Sequence, residues 1–141
     1  MKYYLSSLLL LILFTMGCSQ QKNVTIIPSS EINILRSTYL EESCKNELQV
    51  FTNMEDYNTF QLSLVKPGQR NPPLQIIDFS SKNIAVICKQ NIANYHISEI
   101  NSSSKKNSLK FELNEDQDPA NMDNLIIIEI PKTINKLTLE L

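Results

Sequence analysis

Ile84-Ala85-Val86-Ile87-Cys88 is an unbroken apolar run. A strand with one wetted face alternates apolar and polar residues, so a run without alternation predicts a central strand covered on both sides. The next two segments alternate cleanly. Tyr95, Ile97 and Glu99 oppose His96 and Ser98, and Leu109, Phe111 and Leu113 oppose Lys110 and Glu112. The polar stretch 101–107 joins these two segments as a hairpin loop. Leu125 to Ile130 is a second buried run turned by Pro131-Lys132-Thr133, after which Leu137, Leu139 and Leu141 alternate with Thr138 and Glu140.

Upstream of the central run, Val24-Thr25-Ile26-Ile27 and Ile32-Asn33-Ile34-Leu35-Arg36 are β-prone and separated by Pro28-Ser29-Ser30. Leu48-Gln49-Val50-Phe51 reads as a strand. It runs into Thr52-Asn53-Met54-Glu55, a capping-box pattern with Thr52 as N-cap and Glu55 reaching back. Tyr57, Phe60 and Leu64 then share one helical face, and Pro67-Gly68 stops the helix. The fold class expected is α+β: a single small domain over 24–141, mostly antiparallel β-sheet with one early α-helix.

A leader precedes that domain. Lys2 gives a positive start, Leu8-Leu9-Leu10-Leu11-Ile12-Leu13-Phe14 is apolar, and Thr15-Met16-Gly17-Cys18 closes the stretch, which is the grammar of a secretory signal. The small residue directly before a cysteine resembles the lipobox of bacterial lipoproteins, whose cysteine is lipidated and becomes the new N-terminus. That resemblance implies a signal peptide over 1–17, a lipidated Cys18 with a flexible tether over 18–23, and a membrane anchor made of acyl chains. A single acyl chain binds only marginally, whereas the several chains of such an anchor hold essentially permanently. An ordinary cleaved signal and a retained helix are the competing readings. A spanning helix needs about 20 apolar residues, and here the run ends in Cys18-Ser19-Gln20-Gln21-Lys22-Asn23. Ser19 in place of aspartate resembles an outer-membrane sorting signal, so the location expected is the envelope, at the outer membrane.

Composition narrows the function classes. The chain has 13 basic and 15 acidic residues; without Lys2 the processed form carries 12 against 15, net −3. Such a chain lacks the basic footprint of a nucleic-acid binder. Of its two glycines, Gly17 belongs to the leader and Gly68 stands alone. Phosphate-cradling loops and nucleophile elbows use glycine where backbone turns sharply or meets a ligand, and no such motif is present. No cofactor is expected.

The residues that could carry chemistry are few. His96 is the only histidine and shares a strand face with Asn94 and Ser98, which suits a solvated position better than a catalytic base. One His with Cys44 and Cys88 falls short of a zinc set, which needs three or four ligands. In the acidic stretch 114–124, Asn114, Asp116 and Asp118 alternate as calcium ligands would. The glycine and glutamate of an EF-hand loop fall on Pro119 and Leu125, or on Asn121 and Ile127, so both registers fail. Catalytic, cofactor and metal residues are therefore all expected to be absent. Asp78 reads as a turn residue accepting backbone hydrogen bonds and Phe79 as core.

Cys44 and Cys88 carry a different expectation. In an oxidising compartment a bond between them persists, and closing a loop of that length stabilises a fold by about 3–4 kcal/mol in the chain-entropy account. Two buried, unpaired thiols are the alternative.

One stretch resembles a known family. Leu48–Ile100 runs strand, short helix (Glu55-Asp56-Tyr57-Asn58-Thr59-Phe60), proline loop, Ile77-Asp78-Phe79-Ser80, and a buried strand opening with Asn83-Ile84-Ala85-Val86. A Tyr-centred strand and a β-hairpin close it. This order resembles the C-terminal domain of the PrcB family of lipoproteins, over about residues 45–141. The family carries glycines in the turn before its tyrosine strand, where this chain reads Cys88-Lys89-Gln90-Asn91-Ile92-Ala93-Asn94-Tyr95. The resemblance implies an accessory role beside a secreted protease, without proteolysis of its own.

Three functions stand as expectations. The first is a non-enzymatic, membrane-anchored binding domain with a protein partner. The second is a peptidase inhibitor or immunity-type lipoprotein using the Gln69–Pro73 or Ser102–Asn107 loop. The third is an enzyme built around His96 and Cys88.

Overall fold

A computed structural model describes residues 24–41, 46–65, 75–115 and 122–141. Its strands are β1 (Thr25–Pro28), β2 (Ile34–Thr38), β3 (Leu48–Phe51), β4 (Lys82–Cys88), β5 (Tyr95–Ser102), β6 (Asn107–Leu113), β7 (Leu125–Pro131) and β8 (Thr138–Glu140), with one α-helix, α1 (Met54–Ser63), among the described residues. They form two four-stranded sheets, ordered β2-β7-β4-β3 and β1-β5-β6-β8. Every pairing is antiparallel except β6 with β8. The α+β, β-dominated single domain read from the sequence is the fold observed. The leader, the tether and the Pro67-Gly68 helix stop lie outside the described residues.

The two apolar runs occupy the centre of the first sheet, where β4 pairs with β7 from Lys82 opposite Pro131 to Cys88 opposite Leu125. Alternate residues serve two cores. Ala85, Ile87, Ile126, Ile128 and Ile130 meet Ile97, Ile100, Leu109 and Phe111 of the second sheet. Ile84, Val86, Cys88, Leu125 and Ile127 face the other way, toward Tyr57, Phe60 and Leu64 of the helix segment and toward Phe79. The order of layers is thus sheet, sheet, helix. Burying one such isoleucine contributes roughly 1.5–3 kcal/mol before chain entropy is counted. Burial also pushes the Tyr57 hydroxyl above its usual pKa, with the nearby Arg36 charge acting in the opposite direction.

Three local expectations need correction. The helix is capped by Asn53, not Thr52: Asn53 Oδ1 accepts from the Asp56 amide at 2.9 Å, and its Nδ2 donates to the Asp56 carboxylate at 2.7 Å. Thr-x-x-Glu and Asn-x-x-Asp are offset by one residue here, and asparagine is the stronger cap. The alternation in β5 is broken by a bulge between Ile97 and Glu99. That extra residue rotates Ile100 into the core beside Ile97 and turns Glu99 off their shared face. Finally, β8 is parallel to its neighbour. Pro131-Lys132-Thr133 makes no hairpin but carries the chain from one sheet to the other. The crossing is pinned by buried Ile134 and by Asn83, whose Nδ2 donates to the Lys132 and Ile134 carbonyls at 3.1 and 2.9 Å.

Candidate functional site

Three strand ends meet at one end of the first sheet and border a half-open cavity of about 490 Å³. Residues 39–41, just past β2, form one wall. The turn 89–94 between β4 and β5 forms another, and Met122 and Asn124 before β7 complete it.

The walls are held together by hydrogen bonds between segments distant in sequence. Asn124 donates from Nδ2 to the Leu40 carbonyl and accepts at Oδ1 from the Leu40 amide, both at 2.8 Å, while its own amide donates to Thr38 O at 3.2 Å. A planar amide offers donor and acceptor side by side, so it extends the β2–β7 pairing without a further strand residue. The turn is stitched to the same segment: Lys89 N donates to Asn124 O and Ala93 N to Asp123 O. Asp123 also accepts from Ser37 Oγ at 2.7 Å. Within the turn Asn91 has φ 61° and ψ 21°, the left-handed region. Asparagine enters that region more readily than other residues with a Cβ. Asn91 thereby takes the backbone role that glycine would fill in a turn of this kind. Ile92, fully buried beside it, plugs the turn onto the core.

Chemically the cavity is amide-rich, and its two charged lining residues, Glu41 and Lys89, are of opposite sign. The side chains of Gln90, Asn91 and Asn94 point no hydrogen bond at any described residue. Tyr39 and Met122 stand at the rim, 50% and 67% exposed. The Lys89 ammonium is ion-paired with Glu47. Such a site can accept a side chain on its apolar rim and hydrogen-bond neutral donors and acceptors beside it.

Cys88 lies in the cavity wall and is disulfide-bonded. Cys44, the partner expected from the sequence, falls outside the described residues. The Cys88 amide donates to Glu47 O at 2.8 Å, three positions along the chain from Cys44. Cys18 as lipidation site and the Gln69–Pro73 loop also lie outside those residues, as do Asp116 and Asp118 of the acidic stretch.

The other candidate residues are placed apart. His96 is exposed on the outer face of the second sheet, with Nδ1 3.0 Å from Asn114 Oδ1 and Nε2 3.9 Å from the Glu112 carboxylate. Cys88 faces the helix side of the first sheet, so the sandwich core separates the two and they form no nucleophile–base pair. Among the described residues no group of three or more His, Cys, Asp or Glu could hold a metal ion. The described ends of the acidic stretch are committed elsewhere: Asn114 to His96 and to Ala93 O, Asp123 to Ser37, Asn124 to Leu40. Asp78 and Phe79 take the turn and core positions expected. The Ser80 and Ser81 hydroxyls and the Ser80 amide hold the Asp78 carboxyl below its usual pKa, and Phe79 packs edge-on against Tyr57. The Ser102–Asn107 loop is a tight turn in which Ser103 Oγ donates to Lys106 O at 2.7 Å.

No protein-family model, curated protein or solved structure matches the chain. Tyr39, Asn91, Asn94, Met122 and Asn124 were not legible as a site in the sequence. The one available signal was the density of asparagines after Cys88-Lys89 and before Leu125.

Proposed function

We propose that the chain is a lipid-anchored protein of the bacterial envelope whose sandwich domain binds another protein and performs no chemistry of its own. The observation that carries this reading is the disulfide at Cys88. Disulfides persist in exported proteins and are rare where cytosolic reductants act, and the leader ending at Cys18 supplies the route out. Binding, not catalysis, is supported by the use of Cys88 in that bond and by the placing of His96 on the far sheet. Recognition is assigned to the cavity, whose rim of Tyr39 and Met122 suits a partner's apolar side chain and whose amides suit its peptide groups. An accessory role beside a protease, implied by the PrcB resemblance, is the particular form this proposal takes.

Cys18→Ser tests the anchor. It is expected to release the protein from membranes or block its processing, read by fractionation and intact mass. A variant that stays membrane-bound and normally processed overturns the anchor. Pull-down with the full chain is expected to recover one consistent protein, lost on Tyr39→Ala with the fold intact. Substrate turnover abolished by a single substitution overturns the binding reading.

A further inference from the structure

The strand registers give the domain two distinct ends. Strand β5 begins beside the cavity, at Tyr95 next to Asn94, and finishes at Ser102, which pairs with Thr25 of β1 on one side and Asn107 of β6 on the other. Eight residues of strand separate these ends by about 25 Å. The start of β1 therefore lies beside the 103–106 hairpin, far from the cavity.

That far end has its own chemistry. Val24 and Ile26, on the outer side of β1, are 49% and 57% exposed, while Ile27 turns into the core. Lys105 and Lys106 cap the hairpin, and Lys136 joins them because its carbonyl accepts from Asn107 Nδ2 at 3.1 Å. Lys106 is paired with Glu140 at 2.7 Å; Lys105 and Lys136 make no ion pair among the described residues. At the opposite end charges of both signs meet: Glu41 and Lys89 line the cavity, and Lys89 is ion-paired with Glu47.

We propose that the end bearing Val24, Ile26, Lys105 and Lys136 docks against an anionic lipid surface and holds the cavity facing away from the membrane. This rests on the anchor reading of Cys18. From Cys18 to Val24 the chain spans roughly 20 Å even when fully extended, less than the strand length it would have to run along to lay the cavity on the bilayer. Apolar side chains flanked by lysines suit the interface of a bilayer carrying anionic headgroups.

The experiment uses the full lipidated chain in vesicles of mixed zwitterionic and anionic phospholipid, with photo-crosslinking p-benzoylphenylalanine at Ser104 or at Gln90. Ser104 is expected to crosslink lipid and Gln90 not to. Lys105→Glu with Lys136→Glu is expected to cut the Ser104 yield at least about fivefold, since one lysine near such a surface is worth roughly that factor. Equal lipid crosslinking at both positions overturns the proposal, as does a Ser104 yield indifferent to the charge reversal. The contrast between Ser104 and Gln90 stands without the charge variant if that variant misfolds. A lipidated chain with no Ser104 crosslink defeats the docking alone; a chain recovered from cells without acyl groups defeats the anchor and the docking together.

Discussion

Asn124 makes with its side chain the two hydrogen bonds to Leu40 that another strand residue would make with its backbone. Asn83 acts similarly at the opposite end of the sheet, tying down the crossing to β8, although its Oδ1 is buried without a partner. An unmet buried acceptor costs about 1–3 kcal/mol, so the two donated bonds at that position offset a penalty of similar size. Glu129 is an ionisable residue of this sheet whose side chain is only 14% exposed. Burial acts to raise its pKa, but hydrogen bonds from Lys82 and Asn33 outweigh that and hold it below the ordinary value of 4.5. A carboxyl depressed in the folded state contributes stability that is complete above its unfolded pKa and is lost as pH falls through the folded one. Urea unfolding of wild type and Glu129→Gln is therefore expected to differ at pH 7 and to converge as the pH drops well below 4.5. A difference that persists unchanged in acid would show that the carboxylate charge is not what stabilises the sheet.

At the scale of elements, legibility followed periodicity. Strands β4 and β7 were readable because a strand buried on both faces must be apolar throughout, and β6 because one wetted face imposes a two-residue rhythm, which holds for Leu109 and Phe111 but not for Leu113, 57% exposed at the strand's end. The same rhythm misled in β5, where a bulge after Ile97 changes which residues face inward while leaving the composition untouched. Thr52 and Asn53 each stand three positions before an acidic residue, so the pattern alone does not separate the two as caps. Asn53→Ala is expected to cost about 1 kcal/mol, and Thr52→Ala less than about 0.5 kcal/mol, as for surface changes that remove no cap. Thermal or denaturant midpoints of the two variants would decide the matter, and the reverse ranking would return the cap to Thr52. The parallel placement of β8 had no local signal, since alternation records which face is buried and carries no information about direction.

Across the whole molecule, the cavity escaped the sequence because its walls come from segments near 40, 91 and 123, brought together only by the β2-β7-β4 order. No short window of the chain contains them. The disulfide at Cys88 lies in the same region. Its reduction is expected to cost about 2–4 kcal/mol and to loosen that end first, with little change at the 103–106 hairpin. Intact mass before and after reduction, with alkylation mapped to Cys44 and Cys88, checks the pairing; alkylation of Cys88 without reductant would refute it. Hydrogen exchange on the reduced protein would then locate the loosened end.

The strand order also dictates when this domain can exist. Only β3 with β4 and β5 with β6 pair strands that are consecutive in the chain; every other pairing reaches past intervening strands. A chain emerging N-terminus first must leave β1 unpaired until β5 arrives, and β2 unpaired until β7 does. Distant pairings close large loops before any contact repays them, which makes assembly slow. Completion of both sheets therefore waits for almost the entire chain, and β1, the earliest of the described strands, must hold its exposed isoleucine edge open through most of delivery.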